Sequence, residues 1–400
     1  MAQDNVQTFK EVTLLAKETT FGVLPTMKPL VIEADSWEGD QNRTPLEDLD
    51  ASARGLDTLD MIDGVFEGSG KLKAKLKPYA SQITSTAPVA QPALFDALEC
   101  VFGGMQVGAG SAISTGTTSQ VTVASDTGYE IGQVVGVSGG GDVQLAIVET
   151  KPGANVVTYW PNVAVAVTSG TLVNGYNAFV TEDNEKSFSA QHAYPDNSSA
   201  QQEYRGCHGK AKIITNINEI VMCEFDFTAA EGQEGALSVS TSVQTNPLAA
   251  GGHAVKNATV LIQAAGTTTR THYCVEESSI EFDPGMDFVP CHGTTEGKGG
   301  VMRVKGRGLA KWNLTIRFDS DEDTAWTART SRRILYSVPK GSGTSKRHVF
   351  AYAPYAVLAR KPKREKSGGR YVMKLEFILK INNAAAANSI AGSPLIVGAL

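Results

Sequence analysis

The chain has 400 residues, with 36 Lys and Arg against 42 Asp and Glu (net charge −6), 42% hydrophobic residues, 40 Gly and 16 Pro. This is too apolar and too weakly charged for a disordered polymer, and the length allows one elaborated domain, or two to three small ones, with a core that needs no covalent staples. No apolar run approaches the roughly 18 residues of a membrane helix, the start MAQDNVQTFKEV lacks the pattern of a secretory leader, and the scattered Cys100, Cys207, Cys223, Cys274 and Cys291 read as reduced thiols of a protein made in the cytoplasm.

Taken in chain order, residues 9–17 are a helix candidate. Residues 36–63 form a long polar connection with eight acids (Glu38, Asp40, Glu47, Asp48, Asp50, Asp57, Asp60, Asp63) and two bases (Arg43, Arg54). A connection this long in a compact protein is usually functional or disordered. Residues 71–77 alternate strictly, placing Lys71, Lys73, Lys75 and Lys77 on one face of a strand and Leu72, Ala74 and Leu76 on the other. The lysines guard a solvated edge or meet acids on a neighbouring copy. Pro92 then opens a helix that stops at Gly103-Gly104, with Leu94, Leu98 and Val101 on one face.

Strands follow at 121–123, 133–137, 143–148, 156–159 and 163–167, separated by Gly-rich turns, and predict a small all-β unit over 107–175. Further strands are predicted at 186–191, 210–215, 221–227, 259–264, 279–282, 301–305, 309–318, 349–352 and 370–381. A second helix is predicted over 321–336, acidic at its start and with Arg329, Arg332 and Arg333 near its end, as the helix dipole prefers. The uncharged tail after Asn382 needs a surface to dock on.

Charge is uneven. The first three hundreds of residues carry −7, −6 and −6, and the last carries +13. Intramolecular compensation, a self-association code and nucleic-acid binding all fit this split. The last wants clustered bases interleaved with aromatic platforms, and no recognisable nucleic-acid motif is present.

Catalytic motifs fail on their own chemistry. Gly136-Val137-Ser138-Gly139-Gly140 matches a nucleophile elbow in letters, but a strand follows it where the elbow needs a helix. Asp319–Asp323 has Thr324 and Thr330 where a calcium loop needs Gly and Glu. His272, Cys274, Cys291 and His292 lack zinc-knuckle spacing, Cys207 and His208 point to opposite faces of a strand, and Gly297-Lys298 is no phosphate loop. No catalytic, cofactor or metal residues are assigned, and the chain does not read as an enzyme.

The order of several segments is familiar. Lys17-Glu18-Thr19-Thr20-Phe21-Gly22-Val23-Leu24-Pro25, the helix ending in Gly-Gly, and Phe188 with Tyr204-Arg205-Gly206-Cys207 come first. After them stand 221–227, then Val304-Lys305-Gly306-Arg307-Gly308 before 312–318, then 349–354 and 364–370. In this order they resemble the major tail tube proteins of long-tailed, non-contractile bacteriophages. The resemblance covers nearly the whole chain, although the 107–175 insertion exceeds what the core fold needs.

It implies a mainly β protein, a β-sandwich or half-barrel with one or two short helices and an inserted small β domain. Residues 1–106 and 176–400 are then the tail-tube domain, and 107–175 an outer insertion whose removal should leave tube formation intact. It implies rings, six-fold in most expectations, stacked head to tail around a lumen through which double-stranded DNA passes without sequence-specific binding. Partners are other copies and the tape-measure, tail-tip and tail-terminator proteins; the location is the virion tail, after synthesis in the host cytoplasm. Six copies of four strands give about 24 strands, a barrel about 48 Å wide and a bore of nearly 40 Å, against about 20 Å for duplex DNA.

Charge then suggests the stacking contact. Glu47, Asp48, Asp50 and Asp57 reach Arg303, Lys305 and Arg307 of the next ring, a heterologous contact that generates filaments. Lys71, Lys73, Lys75 and Lys77 are the candidate inter-subunit or surface strand. The alternative is a non-polymerising β-sandwich adhesion or decoration module, which wants an aromatic sugar groove where this chain has only 4 dispersed Trp.

Overall fold

The computed structural model describes residues 11–33, 35–43, 46–47, 61–62, 66–78, 82–85, 91–182, 184–194, 197–235, 237, 254–255, 258–264, 272–291, 298–304, 309–317, 321–367 and 369–400. The first part of the body holds β1 (Val12–Lys17), β2 (Lys28–Leu30), β3 (Glu38–Arg43), β4 (Leu46–Glu47), β5 (Met61–Ile62), β6 (Phe66–Lys75), helix α1 (Ala93–Phe102) and β7 (Gly103–Gln106). Six strands then form a separate unit: β8 (Ser111–Gly116), β9 (Gln120–Val123), β10 (Val134–Gly139), β11 (Asp142–Gly153), β12 (Val156–Trp160) and β13 (Gly170–Val173). The body resumes with β14 (Tyr176–Val180), β15 (Phe188–Tyr194), β16 (Asn197–Asn216), β17 (Met222–Ala229) and β18 (Glu231–Gly235). It ends with β19 (Thr259–Ala264), β20 (His272–Asp283), β21 (Met286–Pro290), β22 (Lys298–Arg303), β23 (Leu309–Arg317), α2 (Asp321–Ala328), β24 (Arg332–Lys340), β25 (Arg347–Leu358), β26 (Lys363–Ser367), β27 (Arg370–Leu379) and β28 (Ile396–Ala399).

Eight strands make one broad antiparallel sheet in the order β3, β6, β17, β16, β20, β23, β27, β26. Period-two alternation decides its faces. Leu72, Phe225, Phe227, Ile213, Phe282 and Trp312 turn inward and are almost fully buried in one large apolar cluster, while the residues between them face out. Behind this core stand β24 and β25, and the pairings β20–β23–β27–β25–β24–β19–β20 run full circle.

Helix α1 begins after Pro92 and ends at Gly103, whose φ of 97° carries the left-handed turn that glycine adopts without strain and whose N–H donates to the Glu99 carbonyl. All ten of its residues are buried, not only the Leu94–Leu98–Val101 stripe. Asp96 and Glu99 lie on its polar side, where Lys28 reaches Asp96 at 2.5 Å, and Lys17 and Lys186 reach Glu99 at 2.9 and 2.7 Å.

The six-stranded unit is a closed barrel in the order β10, β11, β12, β9, β8, β13. Val121, Val135, Val148, Val157 and Tyr159 fill it. Ser138 sits in β10, and Gly140 and Gly141, both at positive φ, turn the chain directly into β11. The barrel is no loosely tethered bead. Val134, Leu145, Ile147 and Trp160 on its outside join Leu261, Leu335, Phe350, Tyr352 and Ile396 of the body in one buried cluster. Its ends leave and re-enter the body side by side, because β7 pairs with β14.

The C-terminal strand β28 inserts between β14 and β25. His348 and Leu400 exchange backbone hydrogen bonds, 2.8 Å from the Leu400 N–H and 3.3 Å from the His348 N–H. Leu395, Ile396, Val397 and Ala399 are fully buried.

Four local expectations change. Residues 12–17 form a strand, not a helix: Leu14 and Leu15 are both buried on opposite sides of an extended segment held between β15 and β2; Phe9 and Lys10 lie outside the described residues. The helix of 321–336 stops at Ala328, because Arg329 takes a left-handed φ of 50° and Ile334, Tyr336 and Val338 then alternate inward on β24. Residues 163–167 are a loop: Val163 and Val167 plug the barrel while Val165 is exposed, and the Ala164 N–H donates to the Gln144 side chain instead of to a strand. Within 36–63, residues Glu38–Arg43 are strand β3, hydrogen-bonded to β6. Gly39 of β3 and Gly68 and Gly70 of β6 occupy the packed side of this pair, and Tyr204 and Phe227 lie over them where side chains would stand.

Candidate assembly surface

The outer face of the broad sheet is ruled into charged columns. Register places Lys71 between Glu38 and Asp226, and Lys73 opposite Glu224. Lys212 stands opposite both Glu224 and Glu281, and Lys311 opposite Glu281. Strands β3, β17 and β20 are thus acidic, and β6, β16 and β23 basic. Lys73–Glu224 and Lys210–Asp226 close to 3.0 Å, and Lys374–Glu365 to 2.7 Å. The hydrogen bond from Lys73 to Glu224 raises the lysine above its ordinary value. A shallow recess of about 420 Å³ opens over β6, β17 and β16, rimmed by Glu33, Asp35 and Ser36. Exposed pairs of this kind are screened by water and salt and add little stability. Their chief effect is a densely charged face with little net charge, on which a polyanion finds no continuous basic track.

Of the lysine row, Lys71 and Lys73 are exposed on this face and Lys75 is half-buried. Lys77 lies past the end of β6 and is only 7% exposed. Burial, then Lys75 and Lys340, lower its pKa. Glu47 and Arg303 end strands β4 and β22, which pair as short two-stranded extensions with β5 and β21. Asp48, Asp50, Asp57, Lys305 and Arg307 lie outside the described residues.

A second constellation ties the N-terminal segment to the body. Glu18 is 8% exposed and accepts four hydrogen bonds. Gly22 N–H and Ser187 Oγ donate to Oε2 at 2.8 and 2.5 Å. Ser189 Oγ and Gly206 N–H donate to Oε1 at 2.6 and 2.7 Å. Phe21 packs against Gly206, where φ is 62° and a Cβ would stand 2.9 Å from the ring. Two segments singled out in the sequence only by resemblance, 17–25 and 204–207, are therefore one contact. Composition could not have revealed it, since a lone acid after a lysine looks solvated.

His192, Cys100 and Cys207 are buried. Burial lowers His192 to about 4, so it is neutral near pH 7, stacked 4.9 Å from Trp37 and hydrogen-bonded through Nδ1 to Thr13 at 2.9 Å. Burial pushes the Cys100 and Cys207 thiols well up, which quenches thiolate chemistry. Among the described residues no group of three or more His, Cys, Asp and Glu is placed to hold a metal ion, and no helix is long and apolar enough to cross a membrane.

A family model described as phage tail tube protein matches residues 8–382. The chain belongs to that family. It is thus a structural tail tube protein, mainly β, and a component of the phage tail. A comparison with curated proteins finds no match. The matched span of this tail tube protein takes in the whole broad sheet, both helices and the barrel, and ends just after β27.

Proposed function

We propose that copies of this protein join side by side into rings, that the rings stack head to tail into the tail tube, and that the charged face of the broad sheet lines the bore through which double-stranded DNA leaves the capsid. The observation that carries the reading is that sheet: one face buried in the core, the other open, charged and nearly neutral in sum. The long non-contractile tail type, synthesis in the host cytoplasm and the tape-measure, tail-tip and tail-terminator partners belong to the same reading.

The barrel then decorates the outside, because the body residues it covers (Leu335, Phe350, Tyr352) point away from the core that backs the charged face. Excising it would uncover those side chains, so deletion tests folding as much as placement; labelling Val165, 60% exposed on the barrel surface, tests placement cleanly. The acidic extension with Glu47, Asp48, Asp50 and Asp57 reaches Arg303, Lys305 and Arg307 of the next ring. Neutralising Glu47, Asp48 and Asp50 should weaken stacking and flatten its salt dependence; unchanged stacking refutes that contact.

The direct test is negative-stain electron microscopy of the purified chain over a concentration series, alone and seeded with tail-tip complex. Open-bored rings or tubes support the reading. A chain that stays monomeric and fails to extend seeded tubes overturns it in favour of a decoration module.

A further inference from the structure

The two parts of the body repeat one topology. In the first, with β2, β7, the barrel strands β8–β13 and β14 set aside as additions, β1 is followed by β3, the β4–β5 extension, β6, helix α1, and then β15, β16 and β17. In the second, β19 is followed by β20, the β21–β22 extension, β23, helix α2, and then β24, β25 with β26, and β27. The pairings correspond. β1 pairs with β15 as β19 pairs with β24. β15 pairs with β16 as β24 pairs with β25. β6 lies between β3 and β17 as β23 lies between β20 and β27. β17 takes the second half of β16, and β27 takes the end of β25 and β26. In each half four strands therefore sit side by side, and the last made in the chain pairs third.

Charge follows the repeat. The first strand of each four is acidic (Glu38 and Asp40; Glu281 and Asp283), the second basic (Lys71 and Lys73; Lys311 and Arg317) and the fourth basic (Lys210 and Lys212; Lys363 and Lys366). Inside the chain the halves meet where the fourth strand of one, β16, pairs antiparallel with the first strand of the other, β20, setting Lys212 opposite Glu281. The same two kinds of edge remain at the outer ends of the sheet. Among the described residues β3 pairs only with β6, and β26 only with β27. Glu38 and Asp40 are exposed on one edge, and Lys363, Arg364 and Lys366 on the other.

We propose that the chain is a fused pair of equivalent tube units, and that a ring holds three copies, closed where the basic edge β26 of one copy pairs with the acidic edge β3 of the next. This rests on the tube reading above and replaces the expectation of six copies. Six eight-stranded sheets would close a barrel of about 48 strands and about 96 Å, whereas three give about 24 strands and about 48 Å, a width suited to duplex DNA. Parity agrees. Rotation about the ring axis preserves strand direction, and with an even number of alternating strands per copy the closing seam is antiparallel, like every other seam in the sheet.

Electron cryomicroscopy of assembled tubes, with the mass of rings released from them, tests the inference. Three copies of 42.4 kDa per ring and a three-fold lumen support it. Tubes with six copies per ring overturn it and leave the tube reading standing. Failure of the wild-type chain to form rings or to extend seeded tubes removes the tube reading itself, and this inference with it.

The seam has its own test. Glu38→Lys with Asp40→Lys, and separately Lys363→Glu with Lys366→Glu, should each raise the concentration needed for assembly about tenfold or more, since facing like charges repel. Monomer melting should move little: Glu38 faces Lys71 and Lys366 lies over the Tyr371 ring, but all four side chains are exposed and such surface contacts are weak. Combining the two pairs of changes should restore assembly. Assembly indifferent to either edge variant refutes the seam.

Discussion

Glu18 offers the sharpest test of how the body is held together. Its carboxylate is the shared acceptor for two hydroxyls, Ser187 and Ser189, and two backbone N–H groups, Gly22 and Gly206. In Glu18→Ala the hydroxyls can rotate to other acceptors, but the backbone donors cannot. A buried donor left unsatisfied costs about 1–3 kcal/mol, so the two amides alone imply about 2–6 kcal/mol, with a central expectation of about 4. Glu18→Gln keeps one acceptor oxygen and turns an NH₂ toward the other pair of donors, stranding half the set at a cost of about 2 kcal/mol. Urea unfolding of dilute monomer, followed by tryptophan fluorescence, measures both as shifts in midpoint at constant slope. An Ala variant within about 1 kcal/mol of wild type, or a Gln variant as costly as Ala, would refute the view that a four-donor carboxylate anchors the N-terminal segment.

Three further outcomes follow from the packing and the charges. Burial raises the Glu99 pKa, but hydrogen bonds from Lys186, Lys17 and Gln91 outweigh it and hold the group below its ordinary 4.5; its stabilisation is therefore full above that value and lost as pH falls through the lower folded one, and Glu99→Gln should flatten the acid limb of Tm measured from about pH 6 to 3. In Gly70→Ala the new methyl would meet Phe227 Cζ at 2.4 Å and the Glu38 carbonyl at 3.0 Å, an overpacking cost of about 2 kcal/mol read in the same urea assay, with a neutral result refuting the aromatic lid over β3 and β6. Removing residues 395–400 takes away β28 and four large buried side chains, Leu395, Ile396, Val397 and Leu400, about 8 kcal/mol of burial, so the truncated chain should lose its cooperative thermal transition; a sharp transition near wild type would refute the role given to the strand.

What the sequence discloses depends on whether side chains carry the signal. Where apolar and polar residues alternate, as in 71–75, 222–229 and 309–317, strand and face are both legible, because β6, β17 and β23 have one wet and one dry side. Strand β3 hides because Gly39 and Gln41, not apolar side chains, stand on its dry side, and the aromatics that cover it and β6, Tyr204 and Phe227, come from far along the chain. Residues 12–17 mislead because an edge-to-edge buried strand shows an apolar run, which fits a helix equally well. Arg332 and Arg333 look like a helix terminus until the left-handed Arg329 ends α2 before them. In the candidate surface the lysine row is readable, but Lys77 departs from it at the strand's end, and the acids that face Lys71 and Lys73 come from β3 and β17, strands whose register no local pattern announces. The repeated topology is masked further, since the barrel stands in one half only and throws the spacing of like elements out of step.

The way the barrel is mounted has a practical meaning. Its polypeptide departs and returns through two neighbouring strands, β7 and β14, so by connectivity it is a cassette: another folded module with adjacent ends can be spliced there without rerouting the body. Connectivity is only half of the specification. Beneath the cassette lies the oily footprint of Leu335, Phe350, Tyr352 and Ile396, and any exchanged module must bring a matching apolar sole, or the footprint must be repainted with polar residues. Engineers wishing to hang enzymes or epitopes on this scaffold should therefore graft onto the exposed β11–β12 turn of the barrel at Gly153-Ala154, where Gly153 has open space around it, and leave the mounting in place.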